Sequence, residues 1–527
     1  MERDAPRSVP GRLALARPSA ALATALLVLL VSTLAGLALP GNASAGKTQE
    51  LMFQDDAQLL GRDLGAQMRL LDELEALGVD AVHAIVYWKR HLADPEARRR
   101  PSGSGADPRS AHYTAEKWDL LDSLVRETRR RGMKLLLTPA AASTKGSIGL
   151  PRWARRGDGS PNTRHAQRFF QAVARRYYGS YTDEDGGRLP PVRHWSFWNE
   201  PNQAGWIVPQ YKRVRGKRIA WSPVVYRDLY RRGLKALRSA GHRSSRVYLG
   251  ETAPLGDPRN RTGTRSAMPP GLFIRELACA DRRLRRYRGR EASRRKGCRG
   301  FRRSHLKAHG FNHHFYTKGR GQPAVFNPRN RDWFPIYAQR RLTRLLDRLA
   351  SRGRMYRRLR VYNTEFGFQS RPPDSKSGVR LNQQAQYENE SEYISYRAGR
   401  IRSFTHYLMI DDPCVISSRQ CLGFQTGLKF IDGRAKPAFA AFAMPIVVRR
   451  TSRSNKVRVW GSALRRRRGA ATELLKNGRV VRRFVPGNTR GYFDIKVTGR
   501  RTDRYQLRDL ATGFASRVAR ASSRRIL

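Results

Sequence analysis

The chain is short of carboxylates and of cysteine. Its 527 residues hold 42 Asp and Glu against 104 Lys and Arg, a formal net charge of +62. Only four cysteines occur and no two are spaced as CxxC, so a thiolate zinc site has little support. The stretch after the first predicted strand, "FQDDAQLLG", is not a glycine-rich phosphate loop, which argues against a doubly wound nucleotide-binding sheet. No repeat at a solenoid period is present. After residue 39 no uncharged apolar run is long enough to suggest a polytopic membrane protein. A hydrophobic content of 39% with nine Trp speaks against a disordered chain.

The charge comes largely from arginine runs such as Arg98–Arg100, Arg129–Arg131 and Arg465–Arg468. A solvated, arginine-decorated surface explains them most simply. Association with an acidic cell envelope or an acidic glycan is the next reading. Specific nucleic-acid binding lacks a recognisable reader module. At the N-terminus, Arg3, Arg7, Arg12 and Arg17 precede an apolar run from Ala20 to Leu39, followed by Ala43-Ser44-Ala45. This predicts a secretory signal peptide over 1–45, with an uncleaved anchor helix as the alternative. In an exported chain four cysteines suggest two disulfides, and sequence proximity favours Cys279–Cys298 and Cys414–Cys421.

Short apolar runs then alternate with amphipathic ones. Strands are predicted at 51–56, 81–88, 133–140, 192–200, 247–250, 310–317, 359–368 and 405–412, with helices between most of them. Eight such units over nearly 400 residues predict an α/β fold, a closed (β/α)8 TIM barrel over 46–445. From 446 to 527 short alternating segments punctuated by Gly predict a small C-terminal antiparallel β-sandwich domain.

Two predicted strands end on a glutamate. "VRHWSFWNEPNQAGW" delivers Asn199 and Glu200 at the fourth, and "LRVYNTEFGF" delivers Glu365 at the seventh. In a (β/α)8 barrel the carboxyl ends of the strands face one cavity. Two carboxylates in such a cavity are the minimum machinery for splitting a glycosidic bond, one protonated to assist the leaving oxygen and one ionised.

The motifs "WNEPN" and "NTEFG" resemble the signature pair of clan A glycoside hydrolases, most closely the cellulase (family 5) and family 39 groups of secreted actinobacterial type. The resemblance spans roughly residues 50–445 and implies a retaining O-glycosyl hydrolase without metal or organic cofactor, acting on a carbohydrate. It matches Glu200 to the general acid/base, Glu365 to the nucleophile and Asn199 to the residue that hydrogen-bonds the sugar 2-hydroxyl. In "HHFYT" it matches His314 and Tyr316 to a His-x-Tyr pair whose Tyr orients the nucleophile. With two glutamates in these roles, a carboxyl separation of about 5–5.5 Å is expected. The chain departs from the pattern on strand two, where many relatives carry an Arg and this sequence has His83. No Trp stands at the end of strand eight, which leaves Tyr407 and Met409 there.

Trp88, Trp198 and Trp206 are candidate stacking platforms for sugar rings, with Trp206 the strongest because it lies in a loop. Asp55 and Asp56 are either hydroxyl ligands or helix caps. Two alternatives stay open, the first because of His83 and the unassigned sugar platform. One is a barrel that has lost turnover and binds an envelope polysaccharide. The other is a transglycosylase using the same residues.

Overall fold

The structure, a computed structural model, describes residues 49–526 except 145, 258–264, 320, 418–419, 454, 467–468, 489 and 523–525. The expected signal peptide lies outside the described residues. The described residues form one compact unit.

Eight strands alternate with eight main helices. They are β1 (Glu50–Gln54), α1 (Leu64–Ala76), β2 (Ala81–Tyr87), α2 (Asp119–Arg130), β3 (Lys134–Ala140), α3 (Thr163–Arg176), β4 (His194–Trp195) and α4 (Ser222–Ser239). The second half continues with β5 (Arg246–Thr252), α5 (Pro270–Leu277), β6 (Gly310–His313), α6 (Gln339–Ser351), β7 (Arg360–Asn363), α7 (Leu381–Tyr396), β8 (Ser403–Tyr407) and α8 (Pro437–Ala443). All strand pairs are parallel, in the order β8-β1-β2-β3-β4-β5-β6-β7. Closure between β7 and β8 runs through a parallel bridge, Val361 to Ile401, and through Ser403 Oγ, which donates to the Asn363 carbonyl at 2.6 Å. The chain is a (β/α)8 barrel.

Local chemistry sets the helix limits. Asp63 caps α1 by accepting from the Ala66 N–H at 2.8 Å, and Asn162 caps α3. Gly78 and Gly132, at φ 73° and 70°, take the left-handed conformation that ends α1 and α2. Between β1 and β2 the chain forms two helices, the short Asp56–Leu60 and then α1, because Gly61 interrupts the first. The long segment between β5 and β6 contains α5. That helix is eight residues long and too short to show a periodic apolar face.

Beyond α8 come two three-stranded antiparallel sheets. One joins β9 (Ile446–Arg450), β10 (Lys456–Ser462) and β13 (Tyr492–Thr498). The other joins β12 (Arg479–Phe484), β11 (Thr472–Lys476) and β14 (Tyr505–Asp509). Val457, Val459, Leu474 and Leu507 are fully buried between them, as in a β-sandwich, while Trp460 on the opposite face packs against Tyr393 and Tyr396. Arg466 binds Glu392 of α7 through two 2.9 Å contacts, and the Tyr492 hydroxyl donates to the same carboxylate at 2.7 Å. Removing one partner of so buried a pair costs about 3–5 kcal/mol.

Both expected disulfides are present, Cys279–Cys298 and Cys414–Cys421. They fit an extracellular, oxidising setting. Among the described residues, no helix is long and apolar enough to cross a membrane.

Candidate active site

The residues singled out above come together at the carboxyl ends of the barrel strands, although fewer of them sit in regular strands than expected. β4 stops at Trp195, yet the Ser196 and Trp198 N–H groups still donate to Leu137 and Pro139 of β3, at 3.0 and 3.2 Å. This irregular extension carries Asn199 and Glu200 beyond the strand. Trp198 and Glu200 have φ of 69° and 32°, and Leu408, just past β8, has 77°. Left-handed non-glycine residues are strained, and such strain gathers at functional sites. Glu365 lies two residues past β7 for a similar reason. Asn363 and Thr364 are tied down, the first by the β8 hydroxyls and the second by a buried carboxylate.

That carboxylate belongs to Glu251, which the sequence reading missed. β5 is bulged between Leu249 and Thr252. Gly250 takes φ 126°, where a Cβ would stand 2.2 Å from the Asn312 carbonyl, so only glycine fits. The bulge turns Glu251, at φ 51°, toward β6 and β7. Its carboxylate accepts from Asn312 Nδ2 at 2.6 Å and Thr364 Oγ1 at 2.5 Å, and lies 3.2 Å from His314 Nε2. The signal was in "VYLGET", a third strand ending on glutamate.

His314 is the hub. It is fully buried, with Nδ1 3.0 Å from Glu200 Oε1 and 3.5 Å from Glu365 Oε2, and Nε2 on Glu251. One carboxylate oxygen of Glu200, one of Glu365 and a ring nitrogen of His314 all lie within 4.8 Å of one another. The Tyr316 hydroxyl donates to Glu365 Oε1 at 2.8 Å. Burial opposes charge on His314, but Glu365, Glu200 and Glu251 outweigh it and hold the ring protonated well above the ordinary histidine range. Burial also raises the Glu365 carboxyl, to about 7. His314 and Tyr316 oppose that rise, and Glu200 adds to it. Burial pulls Glu251 upward too, but the His314 cation and the Thr364 hydroxyl, both bonded to it, hold it below the usual carboxylate range.

His83 does not stand where an Arg beside Glu365 would. Its Nδ1 lies 2.7 Å from Gln54 Oε1 and 3.1 Å from the Thr364 carbonyl, both acceptors, while Nε2 lies 2.8 Å from the Thr138 hydroxyl. This pattern assigns a neutral ring protonated on Nδ1, and burial lowers its pKa in the same sense. The carboxylate it faces is Glu251, at 4.0 Å. The cation beside Glu365 is therefore His314.

The aromatic candidates separate. Trp88 is 1% exposed, stacked on Phe169 at 5.3 Å and edge-on to Trp153, so it leaves no face for a sugar. Trp198 is equally buried, and its indole N–H donates to the Trp206 carbonyl at 3.0 Å. Trp206 is half-buried and stacks on Tyr87 at 6.3 Å. On the β8 side, Tyr407 packs edge-on against the exposed Phe424. Asn199 is buried with no hydrogen-bond partner on its Oδ1. Asp55 caps the helix that follows it and also accepts from the Met409 N–H at 2.9 Å, whereas Asp56 accepts from Ile85 N–H and Gln54 at 2.8 Å. Both acids hold strand ends together.

No protein-family model matches the sequence, and no curated protein matches it. Among solved structures the chain is similar to a GH39 β-xylosidase from Caulobacter crescentus, with TM-score 0.47, 14% identity, and coverage of 88% of this chain and 97% of that one. It is also similar to GH5_18 from Streptomyces cattleya in complex with GlcNAc, with TM-score 0.46, 15% identity, and coverage of 74% and 78%. The β-glycosidase from Thermosphaera aggregans has TM-score 0.44, 15% identity, and coverage of 77% and 92%. All three likenesses are distant.

Proposed function

We propose that the chain is a retaining glycoside hydrolase that cleaves O-glycosidic bonds of an oligo- or polysaccharide by double displacement. The observation that carries this reading is the pair Glu200 and Glu365, one oxygen of each within 4.8 Å, with Tyr316 bonded to Glu365. That limit on their approach falls well short of the roughly 6.5–9.5 Å that leaves room for an inverting water, which favours the closer pairing of retaining enzymes. Glu365 attacks the anomeric carbon while Glu200 gives its proton to the leaving oxygen. Glu200 then takes a proton from water, which hydrolyses the glycosyl ester and restores Glu365. Before attack the single available proton must sit on Glu200. The Tyr316 donor and the His314 cation both favour ionised Glu365. Asn199 is assigned to the 2-hydroxyl, Trp206 with Tyr87 to a sugar platform, and Glu251 and His83 to positioning His314.

In this reading residues 46–445 are the catalytic domain, 446–527 a β-sandwich domain and 1–45 a signal peptide. The protein is exported and held near an acidic envelope by its charge. Both displacement steps balance with carboxylates alone, so no metal or organic cofactor is invoked. Glu200, His314 and Glu365 are close enough to hold a cation, so full activity after EDTA treatment is part of the test.

A panel of dinitrophenyl α- and β-glycosides is the primary experiment. Turnover should be abolished in Glu365→Ala. In Glu200→Ala, azide should restore it and give a glycosyl azide of retained configuration. Inverted product overturns double displacement. Because His83 is neutral and bonded to Gln54, Thr138 and the Thr364 carbonyl, it supplies no positive charge to Glu365, and a second reading is a barrel that binds glycans without turnover. Wild-type binding with no turnover of any activated glycoside would establish it.

A further inference from the structure

One large cavity does not contain the carboxylates. It is a groove of about 1250 Å³ on the flank of the barrel, walled by the loop after β6, by α5 and by α6. Eight of its twenty lining residues are Lys or Arg, against about one residue in five over the chain, and its one carboxylate is Asp332. Asp332 is already taken, by Arg275 through two 2.7 Å contacts. Arg341 donates to the Pro328 carbonyl and to Asn327, which turns the loop over the groove. The remaining cations, Arg282, Lys318, Arg329, Arg331, Arg344 and Arg348, are exposed, and none has a carboxylate within 4 Å among the described residues.

Six unpaired cations around a concavity repel one another, and an anionic occupant relieves that repulsion. The apolar part of the wall narrows the choice. Phe326 is half-buried, and Trp333 is 6% exposed with an indole N–H that has no hydrogen-bond partner. Exposed aromatics on which successive bases would stack are missing among the lining residues, whereas the half-buried edge of Phe326 suits packing against a sugar ring. The groove also begins beside the candidate site. Lys318 follows Tyr316 by two residues, and α6 starts at the same end of the barrel as the carboxylate pair.

We infer that this groove is an exosite for an acidic polysaccharide, a polymer bearing carboxylate or other anionic groups, which it holds alongside the catalytic mouth. The inference rests on the glycosidase reading for the function of the tether, but the binding itself does not depend on turnover.

The full chain, with polygalacturonate as probe, tests this by calorimetry at about 50 mM salt, where such contacts are strong. A neutral glucan and a single-stranded DNA oligonucleotide serve as comparisons. The triple variant Arg329→Ala, Arg331→Ala, Arg348→Ala should weaken polygalacturonate binding about tenfold or more. A variant losing three exposed arginines of the β-sandwich region, Arg479→Ala, Arg482→Ala, Arg500→Ala, should change it less than about twofold. Equal weakening in both variants overturns the exosite, since total charge then explains the binding. Tighter DNA binding, lost in the groove variant alone, overturns the glycan assignment. A groove-specific loss of polygalacturonate binding in a protein that turns over no aryl glycoside supports the exosite and sinks the hydrolase reading.

Discussion

Tyr316→Phe removes one hydrogen bond, 2.8 Å from the tyrosine hydroxyl to Glu365, and leaves the ring in place. A hydrogen bond to a charged partner contributes about 1.5–3 kcal/mol. At about 1.4 kcal/mol per pH unit, its loss is equivalent to about 1–2 pH units on the group it serves. The sign follows from which form the phenol favours. As a donor it stabilises ionised Glu365, and burial already holds that carboxyl at about 7. Without the donor Glu365 ionises only at higher pH. The rising limb of kcat/KM, which reports ionisation of the nucleophile in the free enzyme, should move upward by about 1–2 pH units. Near pH 6 this appears as a roughly tenfold to hundredfold loss that narrows as pH rises. The assay is a pH profile on an activated aryl glycoside, with the melting temperature as a control for folding. A limb that stays in place, or moves to lower pH, refutes the assignment of Tyr316 to the nucleophile.

Two further outcomes follow from the same geometry. Glu251→Gln keeps the hydrogen bonds to Asn312 and Thr364 in outline but removes the negative charge 3.2 Å from His314 Nε2. The His314 ring should then lose its proton at a lower pH than in the wild type, read from its ring resonances, with kcat/KM falling about tenfold or more. Unchanged ring titration would dismiss Glu251 as the counter-ion. Replacing both Cys279 and Cys298 by Ser opens a loop of sequence separation 19 and should lower stability by about 3 kcal/mol in urea unfolding. A loss below about 1 kcal/mol would mean that this buried crossing is held by packing alone.

Several features were legible because they depend on residues near one another in the chain. Alternating strand and helix patterns, the glycines at 78 and 132, and the two close cysteine pairs are local signals, and apolar periodicity counts them well. The length of β4 was not legible. "VRHWSFWNEPN" carries Trp195, Phe197 and Trp198 in close succession and reads as a long strand, but only His194 and Trp195 pair regularly, and left-handed backbone at Trp198 and Glu200 takes over. The fifth strand was cut short at Gly250 because glycine reads as a stop. In the folded chain it is a bulge forced by the approach of the Asn312 carbonyl, a neighbour more than sixty residues away.

By itself the sequence determined the barrel, the sandwich, the cystine pairs and the choice of Glu200, Glu365, His314 and Tyr316 as residues to watch. Each of those rests on a period, a spacing or a motif carried by a short segment. Only tertiary structure decided where the charge lies. His83 faces Glu251 and is neutral, because Gln54, Thr138 and the Thr364 carbonyl surround it. His314 takes the positive charge because three carboxylates from three separate strands converge on one buried ring. Trp88 is lost to the core and six cations are left unpaired around a groove for the same physical reason. Burial and charge partnership are properties of what the fold brings together, and residues far apart in sequence supply them.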